Sequence, residues 1–550
     1  MAVRVRLFSW ISVLVLLVGA GVLASCGDDD GAAPAETTDQ DGDATDGDAT
    51  DADADADADT DGDTDAEAES AEPTATAEPT ATPEPAPAAQ LPADVIEATG
   101  GNGIAQPLFN APLPEGWTET EYLFGGEAVG YAAIEEELAD DGFWDSQPVG
   151  NAAYRTRMIV RTPPAADFSG VVFVEWFNVT AGTDSSPDWG YVSEELTRSG
   201  HAYVGVSVQA VGVNGAEGGR LQEGLVDTRG LALRDPDRYG TLEHPGDAYA
   251  FDIFTQAGAA VAASGSDGVD VLGGLTPTHV IAAGESQSAG FLTTYVNAVH
   301  PLADLYDGFL IHSRGSGAPS PAADREATEG LAVRVRTDLD APIFIFQAET
   351  DLNLLGYARA RQDDTDTVVT WEVAGAAHSD AWALGVAGGI EPDASLGSFI
   401  GCQTPINDGP HHETLQAAVR HLAAWVVDAT APPTSPRLEV DGLDGDGELT
   451  IVRDDLGIAI GGVRTPPVDA PIRVLSGDPS GEDEGFCFLF GQTLPLEPEL
   501  LVERYGDLAG YETELRASAD AAVEAGWLIR EDADDMIAEE LERAAELGLE

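Results

Sequence analysis

The chain has 550 residues, 43% of them hydrophobic, which is enough for one large core with appendages. It carries 99 acidic side chains against 25 basic ones, all arginine, for a formal charge of −74. Such a chain repels phosphate backbones, which excludes nucleic acid as a partner.

The N-terminus predicts an export address. Arg4 and Arg6 precede the apolar run LFSWISVLVLLVGAGVLA, which ends in LASC at residues 23–26. Basic, then apolar, then small residues is the order of a signal peptide, although a run of this length also suits a short spanning helix. LASC resembles a bacterial lipobox, in which the cysteine becomes the lipidated first residue of the mature chain. Residues 1–26 are therefore expected to be a lipoprotein signal peptide and Cys26 the lipidation site. The membrane is then a partner through the lipid anchor, and the protein lies on the outer face of the cell membrane.

Residues 27–95 read as a disordered linker, first acidic (DGDATDGDATDADADADADTDGDTD), then rich in Pro and Thr (EPTATAEPTATPEPAPAA). It lacks the apolar side chains that offset ordering entropy. Residues 27–90 hold 22 acidic residues and no arginine, which leaves a net −54 over 91–550, so the body itself is acidic. DADTDG at 57–62 matches the opening of a calcium loop, but loop position 12 falls on Ala68 and the match fails.

From residue 96 the pattern becomes globular. TETEYLFGG and YRTRMIVRTP alternate as half-buried antiparallel strands do. GVVFVEWFN and HAYVGVSVQ are continuously apolar strands, and the segment between them has Ser186 to cap a helix and Pro187 to open it. Strand, helix, strand is a βαβ unit and implies a parallel sheet. AYAFDIFTQAGAAVAAS, QSAGFLTTYVNAVH and HETLQAAVRHLAAWVVD read as helices, and HVIAA, LYDGFLIHS, APIFIFQ and TVVTWEVAG as further strands. This order is that of an α/β-hydrolase fold over residues 96–435. Residues 436–550, short strands and turns followed by two or three helices, are expected to pack on that core or elaborate it. The long stretch 210–245 is expected to roof a pocket.

GESQSAG at 284–290 follows the strand HVIAA and precedes a helix. A nucleophile elbow needs small residues two before and two after its serine, here Gly284 and Ser288. The elbow would lift Ser286 Oγ above the sheet and turn the Gln287 N–H toward a developing oxyanion. An ordinary capping serine is the alternative. After APIFIF come Glu349 and Asp351, and after TVVTWEV comes His378, in the order serine, acid, histidine. Asp351, the first acidic residue beyond the QAET turn, is the expected acid and Glu349 the alternative. His201 and His279 open strands, His312 ends one, His421 lies within a helix and His300 at a helix end. His411 and His412 are the fallback pair for the base. Val179 or Thr180, after VVFVEW, would supply the second oxyanion N–H.

Together, GWTETEYLFGGEA, VEWFNVTAGTDSSPDW, RYGTLEHPGDAYAFDIF, GESQSAGFLTTYVNAVHP, CQTPINDGPHHETLQAAVRHLAAWV, GGVRTPPVDAPIRVLSG and FCFLFGQTLPLEP resemble the α/β-hydrolase superfamily. More narrowly, they resemble a bacterial family known by its alpha/beta hydrolase domain. The likeness covers most of 112–500. It implies an esterase-like serine hydrolase with Ser286, an acid after FIFQ and His378 as its triad.

Cys402 and Cys487 remain as an even pair in an exported chain, which favours a disulfide. No Cys/His cluster has zinc spacing, and no cofactor is expected. The expected activity is hydrolysis of a small-molecule or glycan carboxylic ester. Two rivals use the same residues or fold: acyl transfer to an acceptor other than water, and a non-catalytic surface binding lipoprotein.

Overall fold

The computed structural model describes residues 89–216, 227–266, 269–443, 447–480 and 485–550. The predicted leader, Cys26 and the linker up to residue 88 lie outside the described residues, as does the middle of the predicted roof, 217–226.

Nine strands form one sheet: β1 (Asp94–Glu97), β2 (Thr118–Ala133), β3 (Ser146–Thr162), β4 (Val171–Trp176), β5 (Ala202–Val206), β6 (His279–Glu285), β7 (Gly308–His312), β8 (Ile343–Ala348) and β9 (Val368–Val373). Their spatial order is β1-β2-β3-β5-β4-β6-β7-β8-β9. The pairs β1/β2, β2/β3 and β3/β5 are antiparallel. From β5 through β4 to β9 every pair is parallel. Parallel strands are covered on both faces, and the sequence shows it: every residue of β4, β5, β7, β8 and β9 is buried. The helices Pro187–Arg198 and His411–Asp428 cover one face; Ala250–Ala262 and Gln287–Thr294 cover the other. This is the α/β-hydrolase fold that the sequence pattern implies.

The chain leaves β4 toward β5 and returns past β4 to β6, so the strand order reverses at β4. Such a switch point opens a crevice at the carboxyl ends of the strands, where ligands bind in open α/β sheets. The loops after β4, β6, β8 and β9 all emerge at this end.

Residues 436–443 and 447–480 follow the core, and parts of them lie along the outer edge of β9. Val463 bridges Val373 in parallel, and Leu438 N–H donates to Glu372 Oε2 at 2.8 Å. Arg361 makes a forked pair with the same Glu372 carboxylate at 2.8 and 2.7 Å. The last three helices, Pro498–Tyr505, Leu508–Ala525 and Arg530–Glu546, share their own apolar cluster around Tyr511, Leu515, Met536 and Ile537. They are tied to the core through buried Arg473, which bonds Asp408 at 3.0 Å and Glu540 at 2.6 Å. Among the described residues no helix is long and apolar enough to cross a membrane.

Candidate active site

Ser286 follows β6 directly and takes the N-cap position of the next helix with φ 57° and ψ −116°. A non-glycine residue in this region is strained, at a cost of about 1–3 kcal/mol, and such strain persists only where the surroundings enforce it. Three bonds enforce it here. Ser286 N–H donates to His312 O on β7 at 2.9 Å. Ser288 Oγ donates to Glu285 O at 2.7 Å and accepts from Glu285 N–H at 3.1 Å, closing the turn. Ser288 stands where an elbow usually has its second glycine, and its hydroxyl becomes the clasp. A Cβ on Gly284 would come within 3.2 Å of the Ser288 backbone, so that position is confined to a small residue.

The loops after β8 and β9 bring the partners. His378 Nε2 lies 3.0 Å from Ser286 Oγ, and His378 Nδ1 donates to Asp351 Oδ1 at 2.6 Å. The second Asp351 oxygen accepts from Ala348 N–H at 2.7 Å. With the Gln347 amide turned to satisfy its neighbours, its nitrogen also donates to that oxygen at 3.2 Å. Burial opposes the charge of His378, but Asp351 and Glu285 outweigh it and hold the imidazole above its ordinary pKa. The imidazole that faces the serine is therefore that of His378 and not that of the fallback His411 or His412. His412 stacks on the Trp382 ring with centroids 3.7 Å apart.

The alternative acid, Glu349, is turned away from the imidazole. It accepts from Gly375 N–H at 2.6 Å, Gly477 N–H at 2.9 Å and Arg453 at 2.8 Å. It thus ties the His378 loop to the C-terminal segment. Thr350 adds a second tie, donating to Gly477 O at 2.7 Å and accepting from His378 N–H at 3.1 Å. A Cβ on Gly477 would sit 2.5 Å from Glu349 Cβ, so only glycine permits this approach.

The oxyanion side differs in one respect from the sequence expectation. Gln287 opens its helix, whose first N–H groups have no partner within the helix. Val179 N–H points at Gln287 Oε1 from 3.5 Å, a long contact. Thr180 N–H, the other expected donor, is taken by Asn178 Oδ1 at 2.8 Å. The short Asn178 side chain folds back on its own loop, so Val179 is the donor left of the two.

Two cavities meet at Ser286. One, of about 700 Å³, is lined by Thr180, Gln209, Asp247, Gln287 and Arg325. The other, of about 380 Å³, is lined by Phe109, Leu384, Ile390, Phe399 and Phe490, with His378 and Glu285 at its floor. Cys402 and Cys487 form a disulfide, with Cα atoms 5.5 Å apart, beside this second cavity. Among the described residues no cluster of His, Cys, Asp and Glu could hold a metal ion.

A family model described as alpha/beta hydrolase domain matches residues 83–538. The chain belongs to the alpha/beta hydrolase domain family. Among solved structures this hydrolase is similar to a fungal esterase from Rhizomucor miehei, at 14% identity over 58% of this chain and 87% of that one, with a TM-score of 0.30. It is similar to acetyl xylan esterase 1 from a Thermoanaerobacterium species at 9% identity, over 45% and 80% of the two chains, with a TM-score of 0.23. A lipase/esterase from Lactobacillus plantarum is 16% identical over 42% and 86%, with a TM-score of 0.23. No curated protein matches the hydrolase in sequence.

Two features of the site escape the sequence reading. Glu285 Oε1 lies 3.2 Å from His378 Nε2, while Asn178 donates to Glu285 Oε2 at 3.1 Å. Beneath the triad runs a buried line of groups: Asp188 Oδ1 to His312 Nδ1 at 2.9 Å, His312 Nε2 to His411 Nε2 at 2.7 Å, and His411 Nδ1 to Ala377 O at 2.8 Å. Burial holds His312 down at about 3 and His411 well below its usual value, so both rings are neutral. Only a donor can face Ala377 O, which makes His411 Nε2 an acceptor and His312 Nε2 a donor. His312 Nδ1 then accepts, and Asp188 must supply a proton. Burial indeed raises Asp188 to about 8. The only sequence signals were the Glu in GESQSAG and the histidine pair opening a helix, and neither says what it touches.

Proposed function

We propose that this alpha/beta hydrolase is a serine hydrolase acting on carboxylic esters. The observation that carries the reading is the line Ser286 Oγ, His378 Nε2, Asp351 Oδ1 at 3.0 and 2.6 Å, mounted on a strained strand-to-helix turn. Asp351 fixes the Nδ1–H tautomer, so Nε2 is free to accept the serine proton. Ser286 Oγ attacks the ester carbonyl, and its proton passes to Nε2. The carbonyl oxygen becomes an oxyanion, for which the N–H groups of Gln287 and Val179 are the available donors. Nε2 then protonates the leaving alcohol. Water repeats the sequence on the acyl-serine to release the acid and free Ser286.

The test is Ser286→Ala. It should abolish labelling by a fluorophosphonate probe and lower ester turnover by about 10⁴ or more while the fold is kept. Turnover near wild type would end this reading. Product analysis with added alcohol separates hydrolysis from acyl transfer.

The lipobox pattern LASC supports a second part of the proposal: Cys26 is lipidated and holds the enzyme on the outer face of the membrane through the acidic linker. Cys26→Ser should release the protein from membranes or leave an uncleaved precursor. A mature N-terminus elsewhere would refute it.

A further inference from the structure

The two cavities at Ser286 differ in chemistry and in origin. The polar one is walled by loops after β4, β5 and β7, which among the described residues present amides, hydroxyls, one carboxylate and one guanidinium: Thr180, Gln209, Asp247, Gln287, Ser316 and Arg325. Its side chains are linked to one another. Gln287 Nε2 donates to Gln209 Oε1 at 2.9 Å, Gln209 Nε2 donates to Asp247 Oδ2 at 3.1 Å, and the Arg325 guanidinium lies over the Phe291 ring. The apolar one is walled by the helix Ala381–Gly388 and by two short turns, Ala394–Ile400 and Gly485–Leu489, which the Cys402–Cys487 disulfide joins. Its mouth is lipophilic as well, since Phe399 and Ile390 are 64% and 51% exposed. Both volumes fall in the range of pockets that enclose small ligands.

His378 decides which half of an ester each cavity receives. When the tetrahedral intermediate collapses, the oxygen that leaves is the one that takes the proton from Nε2. The leaving oxygen must therefore lie on the imidazole side of Ser286, within hydrogen-bond reach. The acyl substituent then points the other way. His378 and Glu285 line the apolar cavity and do not line the polar one. We infer, resting on the serine-esterase reading above, that the substrates are esters of an apolar alcohol or phenol with a polar, hydrogen-bonding acid. The alcohol occupies the disulfide-joined apolar cavity, and the acid occupies the larger polar one. Asp247 and Arg325 offer both signs of charge, so the acid recognised is a hydroxylated or amide-bearing one, not a plain fatty acid. The reaction needs water alone: the acyl C–O bond breaks, the alcohol leaves with the His378 proton, and water supplies the new C–O bond of the acid.

The experiment is a matched pair of esters of opposite polarity given to the purified full chain: benzyl gluconate, apolar alcohol on polar acid, and the 6-phenylacetate ester of glucose, polar alcohol on apolar acid. Benzyl gluconate should have the higher kcat/KM by about tenfold or more, the scale on which hydrophobic pockets discriminate. Phe399→Asp, at an exposed position, should cut kcat/KM for benzyl gluconate by about tenfold. The same variant should lower kcat/KM for ethyl acetate, which carries no benzyl group, by less than it lowers that for benzyl gluconate. A preference for the glucose ester, equal rates for the two, or an unaffected Phe399→Asp would overturn the assignment. Fluorophosphonate labelling of Ser286 in the same preparation separates the two levels. If labelling is present and the preference reversed, this inference alone falls; if labelling is absent, the esterase reading falls and takes the inference with it.

Discussion

The Glu285 carboxyl group lies 3.2 Å from the same His378 nitrogen that faces Ser286. Burial raises Glu285 to about 8, and the charge of His378 beside it draws it back down. Asn178 donates to Oε2, and Oε1 is the oxygen that faces Nε2. When the imidazole gains a proton, Glu285 becomes its second counterion beside Asp351, and both hold the imidazolium form in place. The active form is neutral His378, so activity falls as pH drops through its raised pKa. Glu285→Gln keeps the shape and the Asn178 bond but removes that counterion. The acid limb of kcat/KM against pH should therefore move to lower pH. An unmoved or upward-shifted limb would show that Glu285 has no electrostatic part in the site.

Asp351 and Glu349 are two residues apart and hold different things. Asp351→Asn leaves the position filled but favours the wrong imidazole tautomer, and should lower kcat by about 10⁴, by analogy with the serine protease triad. Glu349→Gln should leave kcat within about tenfold and act on stability, because it weakens a buried arrangement with Arg453, Gly375 and Gly477. Steady-state kinetics and thermal melting of the two variants, side by side, check the division. Equal losses of kcat would contradict it.

The protonated Asp188 makes a prediction about stability and pH. The folded chain keeps this proton up to about 8, whereas an unfolded chain gives it up near the ordinary 3.8. Between those values the unfolded state binds fewer protons, so Asp188 makes the fold less stable as pH rises through that window. Asp188→Asn has no proton to lose, and its amide nitrogen can donate to His312 Nδ1 in place of the acid. Its oxygen falls where Asp188 Oδ2 has no hydrogen-bond partner. The melting temperature of the variant relative to wild type should therefore rise between pH 4 and pH 8. A difference that is flat or falls with pH would mean that Asp188 is ionised in the fold.

The Cys402–Cys487 bond closes a chain separation of 85 residues. A crosslink of that span is worth roughly 2–5 kcal/mol. The double variant Cys402→Ser/Cys487→Ser should melt lower by an amount in keeping with that range. Wild type under reductant should show the same fall, and the double variant none. Equal sensitivity of both proteins to reductant would assign the effect to something else.

The sheet was legible because parallel strands buried on both faces leave continuous apolar runs, and VVFVEW, HVIAA and IFIFQA are such runs. That Ser286, Asp351 and His378 would meet was legible because an elbow imposes small residues around its serine and the fold imposes the order of the residues that follow it. Choosing between Glu349 and Asp351 was beyond periodicity, since residues two apart share a side of an extended strand. Glu349 turns toward Arg453 and Gly477, over a hundred positions downstream, and no local pattern encodes such a partner. The same applies to Thr180, whose N–H is claimed by a neighbouring Asn178 side chain that was equally free to face solvent. Asp188, His312 and His411 come from three elements scattered over more than two hundred residues, and only the fold makes them a line.

Arg453 and Gly477 hold the loops that present Asp351 and His378, yet they follow the last strand of the large sheet by about a hundred residues. During synthesis the nine strands and every member of the triad emerge before these braces do. A chain released early, at residue 430 for instance, would carry Ser286, Asp351 and His378 with Glu349 held by Gly375 and Thr350 by His378, but without the Arg453 and Gly477 bonds. The bracing of the Asp351 and His378 loops is thus complete only once the last hundred or so residues have been made. A prematurely terminated or clipped copy would present these side chains on loops that lack their outer braces.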